Sequence, residues 1–142
     1  MDADRVRELC EELRQTLANL DVAVAEEEGE AVLGAAWLRS VLRARRVRQS
    51  YFEPNLFADP AWDMMLDLLA SRLEGRTLSV SALCQGSGVP QTTALRRIDL
   101  LVERGMITRR PDGSDGRRVL VDLSQSAAVR LEACLVAMRE FA

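Results

Sequence analysis

The chain has 142 residues, of which 48% are hydrophobic, so it is long enough for one compact domain with a helical extension. It contains no histidine. This removes the usual general base and the commonest zinc ligand, so an enzyme, a metal site and a bound cofactor are not expected. The net charge of −3 is divided unevenly, because residues 1–30 carry −7 and residues 31–142 carry +4, and the longer part therefore has the basic character of a nucleic-acid-binding protein.

The first predicted element is an amphipathic helix over residues 4–20. Its apolar stripe consists of Val6, Leu9, Cys10, Leu13, Leu17 and Leu20. Such a stripe needs a partner to cover it. Residues 21–30 are acidic and contain Gly29, which predicts a bend or a loose turn. Because the acidic start differs from a signal peptide and no apolar run approaches the ~20 residues that cross a bilayer, we expect a cytoplasmic protein with no membrane partner.

Residues 31–49 show a second helical pattern, and its latter half is strongly basic. The basic side chains are Arg39, Arg43, Arg45, Arg46 and Arg48. They form either a solvated helix face or part of a surface that faces phosphates, and the sequence leaves both interpretations open. After a connection with two prolines, Asp59-Pro60 indicates the start of a third helix, which is expected to end at Gly75. Its expected buried face consists of Trp62, Met65, Leu66, Leu69 and Leu73.

The remaining chain alternates short helical and strand-like segments. The predicted elements are a short strand at 76–78, a helix at 80–85 with Ser79 as N-cap, a turn at 86–89, a helix at 90–104, strands at 106–110 and 117–123, and a last helix capped by Ser124 or Ser126. Two helices joined by a tight glycine turn and followed by a β-hairpin make a winged helix. The predicted fold class is therefore mainly α (α+β): a winged helix-turn-helix with a two- to three-stranded wing and flanking dimerisation helices.

Three small residues at suitable spacing support the helix-turn-helix. Cys84 lies where the first helix crosses the second, Gly88 follows four residues later in the turn, and Ala94 follows six residues after that on the second helix. The position of Cys84 gives this thiol a structural explanation. Cys10 and Cys134 are also expected to be buried apolar residues, because three cysteines so far apart suggest no disulfide framework.

The second helix of this motif carries the residue types that read DNA. Its expected buried stripe consists of Ala94, Leu95, Ile98, Leu101 and Val102. Arg binds guanine O6 and N7, Gln binds adenine, and Thr binds phosphate or the thymine methyl group. The hairpin adds four arginines around a polar tip at 111–116, which suits a narrow minor groove. The candidate DNA-binding residues are Gln91, Thr92, Thr93, Arg96, Arg97, Arg110, Arg117 and Arg118.

Several motifs in this order resemble the MarR family of bacterial transcriptional regulators. They are Ser81-Ala82-Leu83-Cys84, Gly88-Val89-Pro90, Thr92-Thr93-Ala94, the segment 101–107 and the segment 115–124. The resemblance covers about residues 60–126. It implies a homodimer formed by the N- and C-terminal helices, an operator of double-stranded DNA, and in some members a small-molecule effector, which the sequence does not identify. By position, Thr92, Thr93, Arg96 and Arg97 match the family's recognition helix and Arg117 its wing arginine, although Arg97 stands where the family often has an apolar residue.

The expected organisation has three parts: an N-terminal dimerisation region at 1–57, a DNA-binding winged helix at 58–123, and a C-terminal dimerisation helix at 124–142. The main alternative is a winged helix used for protein–protein contact or dimerisation without DNA binding, and it predicts arginines scattered over different surfaces. An enzyme or a thiol redox protein would need a histidine, a CxxC pair or a glycine-rich phosphate loop, and the sequence has none of these.

Overall fold

The computed structural model describes residues 2–32 and 34–141, with only the backbone considered at 18–32. The elements are α1 (Ala3–Val32), α2 (Ala35–Ser50), α3 (Pro60–Leu73), β1 (Leu78–Ser79), α4 (Val80–Gly86), α5 (Gln91–Glu103), β2 (Ile107–Pro111), β3 (Val119–Leu123) and α6 (Gln125–Arg139). The three strands form one antiparallel sheet in the order β1-β3-β2. The predicted fold class is confirmed, because helices α4 and α5 are followed by the hairpin β2–β3 and are flanked by further helices.

Helix α1 is longer than the sequence predicted. The bend expected at 21–30 is wrong, because the backbone stays helical through Gly29 to Val32. One glycine costs a helix only about 1 kcal/mol, and the alanines and glutamates around it are strong helix formers. The described side chains of α1, from Ala3 to Leu17, are all exposed.

Helix α3 lies at the centre of the core. It begins as predicted, with Pro60 in the first turn and the Asp59 side chain accepting a hydrogen bond from the Trp62 backbone N–H. The prediction of a single buried face was wrong, because α3 packs against α2 on one side and against α4, α5 and β3 on others. Met64 and Leu68 are therefore buried as well, whereas Leu73 at the helix end is exposed.

Most of the basic side chains of α2 bind groups of the protein. Arg39 donates to Asp67 at 2.5 Å and to Glu74 at 2.6 Å, and Arg45 donates to the buried Asp63 at 2.5 Å. Burial alone would lower the pKa of Arg39, but its bonds to Glu74 and Asp67 outweigh burial and raise it. The bond from Arg39 lowers the pKa of Glu74 in turn. These ion pairs hold α2 against α3.

Two more α2 arginines bind backbone carbonyls. Arg48 donates to the Phe57 carbonyl at 3.0 Å, and Arg46 donates to the carbonyl of Gly86, the last residue of α4. Four of the five arginines therefore bind protein groups, whereas Arg43 is exposed with no ion pair or hydrogen bond to any described residue, as expected of a solvated face. Helix α2 thus contacts the helix-turn-helix directly.

Side-chain caps and positive-φ glycines position the elements of the winged helix. Ser79 accepts a hydrogen bond from the Ala82 N–H and so caps α4, and Ser124 caps α6 in the same way. Gly88 has φ +75°, and Gly105, which ends α5, has φ +71°. Only glycine adopts this conformation at little cost, so both glycines fix where the chain reverses.

Candidate nucleic-acid interface

One face of α5 is buried and the other is open to solvent. Ala94, Ile98 and Leu101 are buried against the core, as predicted. Leu95 was predicted to be buried but is exposed, because it lies 100° from Ala94 on the edge of the buried stripe. The open face carries the five candidate residues of this helix: Gln91, Thr92, Thr93, Arg96 and Arg97, all exposed.

The arginines predicted to contact DNA differ in what they already bind. Among the described residues, the side chains of Arg96, Arg97, Arg110 and Arg117 form no ion pair or hydrogen bond with one another or with the rest of the chain. Arg118 is different, because one of its nitrogens lies 3.6 Å from a carboxylate oxygen of Asp112. Four guanidinium groups therefore keep all their donors for a phosphate or a base edge.

A contact that the sequence did not predict joins the wing to α5. Arg109 on β2 donates from Nη1 to Oδ1 of Asp99 at 2.8 Å. In the sequence, Asp99 is the acidic residue nearest to Arg96 and Arg97, the two unpaired arginines of α5, and the bond to Arg109 occupies its carboxylate. It also makes Arg109 a link between two elements rather than a free cation. No local pattern could reveal it, because the two residues lie on different elements, ten positions apart.

The tip of the wing is ordered by two aspartates. Asp112 accepts hydrogen bonds from the backbone N–H of Ser114 at 2.9 Å and from its hydroxyl at 2.8 Å. These bonds from Ser114 lower the pKa of Asp112, so its carboxylate is ionised at neutral pH. Asp115 accepts from the backbone N–H of Arg117 at 3.0 Å, which fixes the backbone that carries this arginine.

Two clefts lie beside α4, one next to the wing and the other next to the start of α5. One, of about 440 Å³, is lined by Ser79, Val80, Ser81, Arg109, Arg117, Arg118 and Val119. The other, of about 280 Å³, is lined by Ser81, Cys84, Gln85, Val89 and Gln91. Because Ser81 lines both clefts, the wing arginines and the first residue of α5 both lie on the surface around this residue. The α5 N-terminus on that surface has no side-chain cap and no acidic residue in its first turn.

The cysteines have different environments. Cys84 is buried as predicted, and burial raises the pKa of its thiol, so it is a poor nucleophile. The prediction that Cys10 and Cys134 are buried was wrong, since both lie on helix faces that this chain does not cover. The described side chains include no group of three metal-binding residues. Within residues 2–32 and 34–141, no helix is long and apolar enough to cross a membrane.

Comparison with known protein families finds a match for the winged helix. A model of the MarR family matches residues 60–118, from the start of α3 to the wing. This segment is similar to the MarR family. The MarR-family match includes α4, the glycine turn, all of α5 and both wing arginines at the tip, Arg117 and Arg118. A comparison with curated proteins finds no match.

Two solved structures with TM-scores of 0.50 share the fold of this chain. AF1382 from Archaeoglobus fulgidus is 14% identical over 61% of this chain and 90% of its own, with a TM-score of 0.50. A mutant of MepR from S. aureus is 15% identical over 72% of this chain and 70% of its own, also at 0.50. A probable transcriptional regulator from Pseudomonas aeruginosa is 28% identical over 70% of this chain and 75% of its own, with a TM-score of 0.49.

Proposed function

We propose that the protein is a transcriptional regulator that binds double-stranded DNA with sequence specificity, as a homodimer in the cytoplasm. In this proposal α5 enters the major groove and the β2–β3 wing lies on the adjacent minor groove. The three-part division at 1–57, 58–123 and 124–142 is part of the proposal, with the two outer parts forming the dimer. The match of residues 60–118 to a model of the MarR family supports it.

The observation that carries the proposal is the contrast between two groups of arginines. On α2, Arg39 and Arg45 are bound to carboxylates of α3. On α5 and the wing, Arg96, Arg97 and Arg117 are exposed and unpaired among the described residues, and the adjacent acid Asp99 is itself neutralised. An arginine left free on a surface that also offers open backbone N–H groups is suited to a polyanion.

The candidate residues divide into two roles. We assign Gln91, Thr92, Thr93 and Arg96 to base edges and nearby phosphates, because the N-terminal half of a recognition helix lies deepest in the groove. We assign Arg97, Arg110, Arg117 and Arg118 to phosphates or the minor-groove floor. Base contacts determine sequence preference, whereas phosphate contacts mainly set affinity and position.

The test compares three arginine variants on two duplexes. A preferred operator is first selected from random DNA, and affinities for it and for a scrambled duplex are then titrated at two salt concentrations. Arg96→Ala should lose about 1–3 kcal/mol on the operator and much less on the scrambled duplex. Arg117→Ala should weaken both alike and reduce the salt slope by about one. Arg43→Ala is the matched control, because Arg43 is also exposed and unpaired among the described residues but lies on α2.

The outcomes separate the competing functions. An equal loss on both duplexes for Arg96→Ala would contradict its base-reading role. Wild-type binding by both the Arg96 and Arg117 variants would contradict the DNA interface and favour the protein-interaction alternative. A loss for Arg43→Ala as large as that for Arg117→Ala would mean that total charge, rather than this surface, controls binding.

A further inference from the structure

Leu95 is an apolar residue on a helix surface that is otherwise polar. Of the 13 residues of α5, all of which the structure describes, Leu95 is the only large apolar one that is exposed, at 38%. Every other exposed residue of α5 is polar or charged. Exposed leucines are common on protein surfaces, so exposure alone indicates no function. The charges around Leu95 on the same helix give its position a meaning.

The two flanks of α5 differ in charge. Arg97 and Arg104 lie on one flank, because side chains seven residues apart point in nearly the same direction on a helix. Both are exposed, and neither side chain forms an ion pair or hydrogen bond with any described residue. Leu95 and Asp99 are each two residues from Arg97 and so lie nearly opposite it around the helix. The charged residue on their flank is Asp99, whose carboxylate is already bound by Arg109.

This difference orients α5 in the proposed complex. A phosphate needs a cation or a hydrogen-bond donor beside it, and the flank with Arg97 and Arg104 supplies free guanidinium groups. The flank with Leu95 and Asp99 supplies an apolar side chain and a neutralised carboxylate, and neither can hold a phosphate. Leu95 is therefore suited to a base edge in the major groove rather than to the sugar-phosphate backbone.

The chemistry of the major groove limits what an apolar side chain can recognise there. Base edges present hydrogen-bond donors and acceptors, and the one apolar group in their recognition pattern is the C5-methyl of thymine. Leu95 lies in the N-terminal half of α5, three residues after Thr92, and this half of a recognition helix lies deepest in the groove. A thymine methyl group is therefore the base feature that Leu95 can bind.

We infer that Leu95 contacts the C5-methyl group of a thymine in each operator half-site and makes the protein prefer thymine at that position. The inference rests on the proposed function, because it requires that α5 enters the major groove. It assigns sequence reading to a residue that helical periodicity alone placed in the core.

The test removes the methyl group from the DNA while the protein stays unchanged. Each thymine of the selected operator is replaced in turn by deoxyuridine, which keeps every hydrogen-bonding group of thymine and lacks only the C5-methyl. At one position in each half-site, the replacement should weaken wild-type binding by about threefold to tenfold, because burial of one methyl group corresponds to about a fourfold change in affinity. Leu95→Ala should bind the thymine and uracil duplexes equally at that position.

Two further variants make the result specific to Leu95. Leu95→Met keeps an apolar side chain of similar volume and should retain the preference for thymine over uracil. Val119→Ala is the matched control, because Val119 is also apolar and 42% exposed but lies on the wing, and it should leave that preference unchanged. Urea unfolding of each variant shows whether a weaker affinity reflects a lost contact or a lost fold.

Two results would overturn the inference while the proposed function stands. One is an operator in which no replacement of thymine by uracil weakens wild-type binding. The other is a uracil effect that persists in full in Leu95→Ala, which would assign the methyl contact to another residue such as Thr92. A selection that yields no preferred operator would instead contradict the proposed function, and the inference with it.

Discussion

A substitution at Gly88 tests how α2 supports the helix-turn-helix. Gly88 has φ +75°, and a Cβ built there would lie 2.8 Å from Cζ of Arg46, the residue that donates to the Gly86 carbonyl. Gly88→Ala therefore has two costs. The left-handed conformation costs an alanine about 1–2 kcal/mol. The Arg46 guanidinium must also move and lose its hydrogen bond, which contributes about 1 kcal/mol more.

Gly105 provides the matched control, because it has φ +71° and no atom within 4 Å of a built Cβ. Gly105→Ala should therefore cost only the conformational part, about 1–2 kcal/mol, against about 2–3 kcal/mol for Gly88→Ala. The assay is urea unfolding of the full chain at one fixed protein concentration, because a dimer's stability depends on concentration.

A double-mutant cycle isolates the contact between Gly88 and Arg46. In an Arg46→Ala background the guanidinium is gone, so Gly88→Ala should cost no more than Gly105→Ala does. If Gly88→Ala is no more destabilising than Gly105→Ala in the wild-type background, Arg46 does not brace the turn. If the excess cost persists without Arg46, its cause lies elsewhere.

Three further predictions concern single contacts. Asp63→Ala should cost about 3–5 kcal/mol in urea unfolding, because it leaves the Arg45 charge unpaired beside a buried site; a loss below about 1 kcal/mol would contradict this. Asp99→Asn should change the free energy of unfolding by less than about 1 kcal/mol, since the ion pair of Asp99 with Arg109 is exposed. If this pair orients the wing, the same substitution should weaken operator binding, and unchanged binding would refute the orienting role. The thiol of Cys84 should react with a maleimide far more slowly than that of Cys10 in the folded protein, and at the same rate in urea.

The helix-turn-helix and the wing could be predicted because their signals are local. Ser79 caps α4 through its own side chain. Gly88 lies in the turn and Gly105 follows the end of α5, and both adopt the positive φ that is typical of glycine at such positions. The exposed half of α5 followed from helical periodicity alone, with Leu95 as the one residue placed on the wrong side. Structural features that depend on residues only a few positions apart can be predicted from the sequence.

What could not be predicted depends on partners distant in sequence. Arg39 and Arg45 form a basic run on α2, but their roles are set by Asp67 and Asp63, which lie 28 and 18 residues away. Cys10 was expected to be buried from the usual behaviour of its residue type, whereas the helix that carries it has no covering partner within the described chain. Burial on an amphipathic helix depends on tertiary and quaternary contacts, which periodicity does not contain.

The two aspartates on α3 explain how one residue type can serve both the structure and the proposed DNA binding in a chain without lysine. Asp63 and Asp67 are four positions apart on one helix and both are buried, so each needs a cation close by. Arg45 and Arg39 supply these cations from α2, and a planar guanidinium can bind a carboxylate while still contacting further groups. On α5 and the wing, Arg109 is paired with Asp99 and Arg118 lies near Asp112, whereas Arg96, Arg97, Arg110 and Arg117 form no ion pair with any described residue. The distribution of carboxylates, rather than the number of arginines, therefore determines which arginines of the basic segment remain available for the proposed DNA contact.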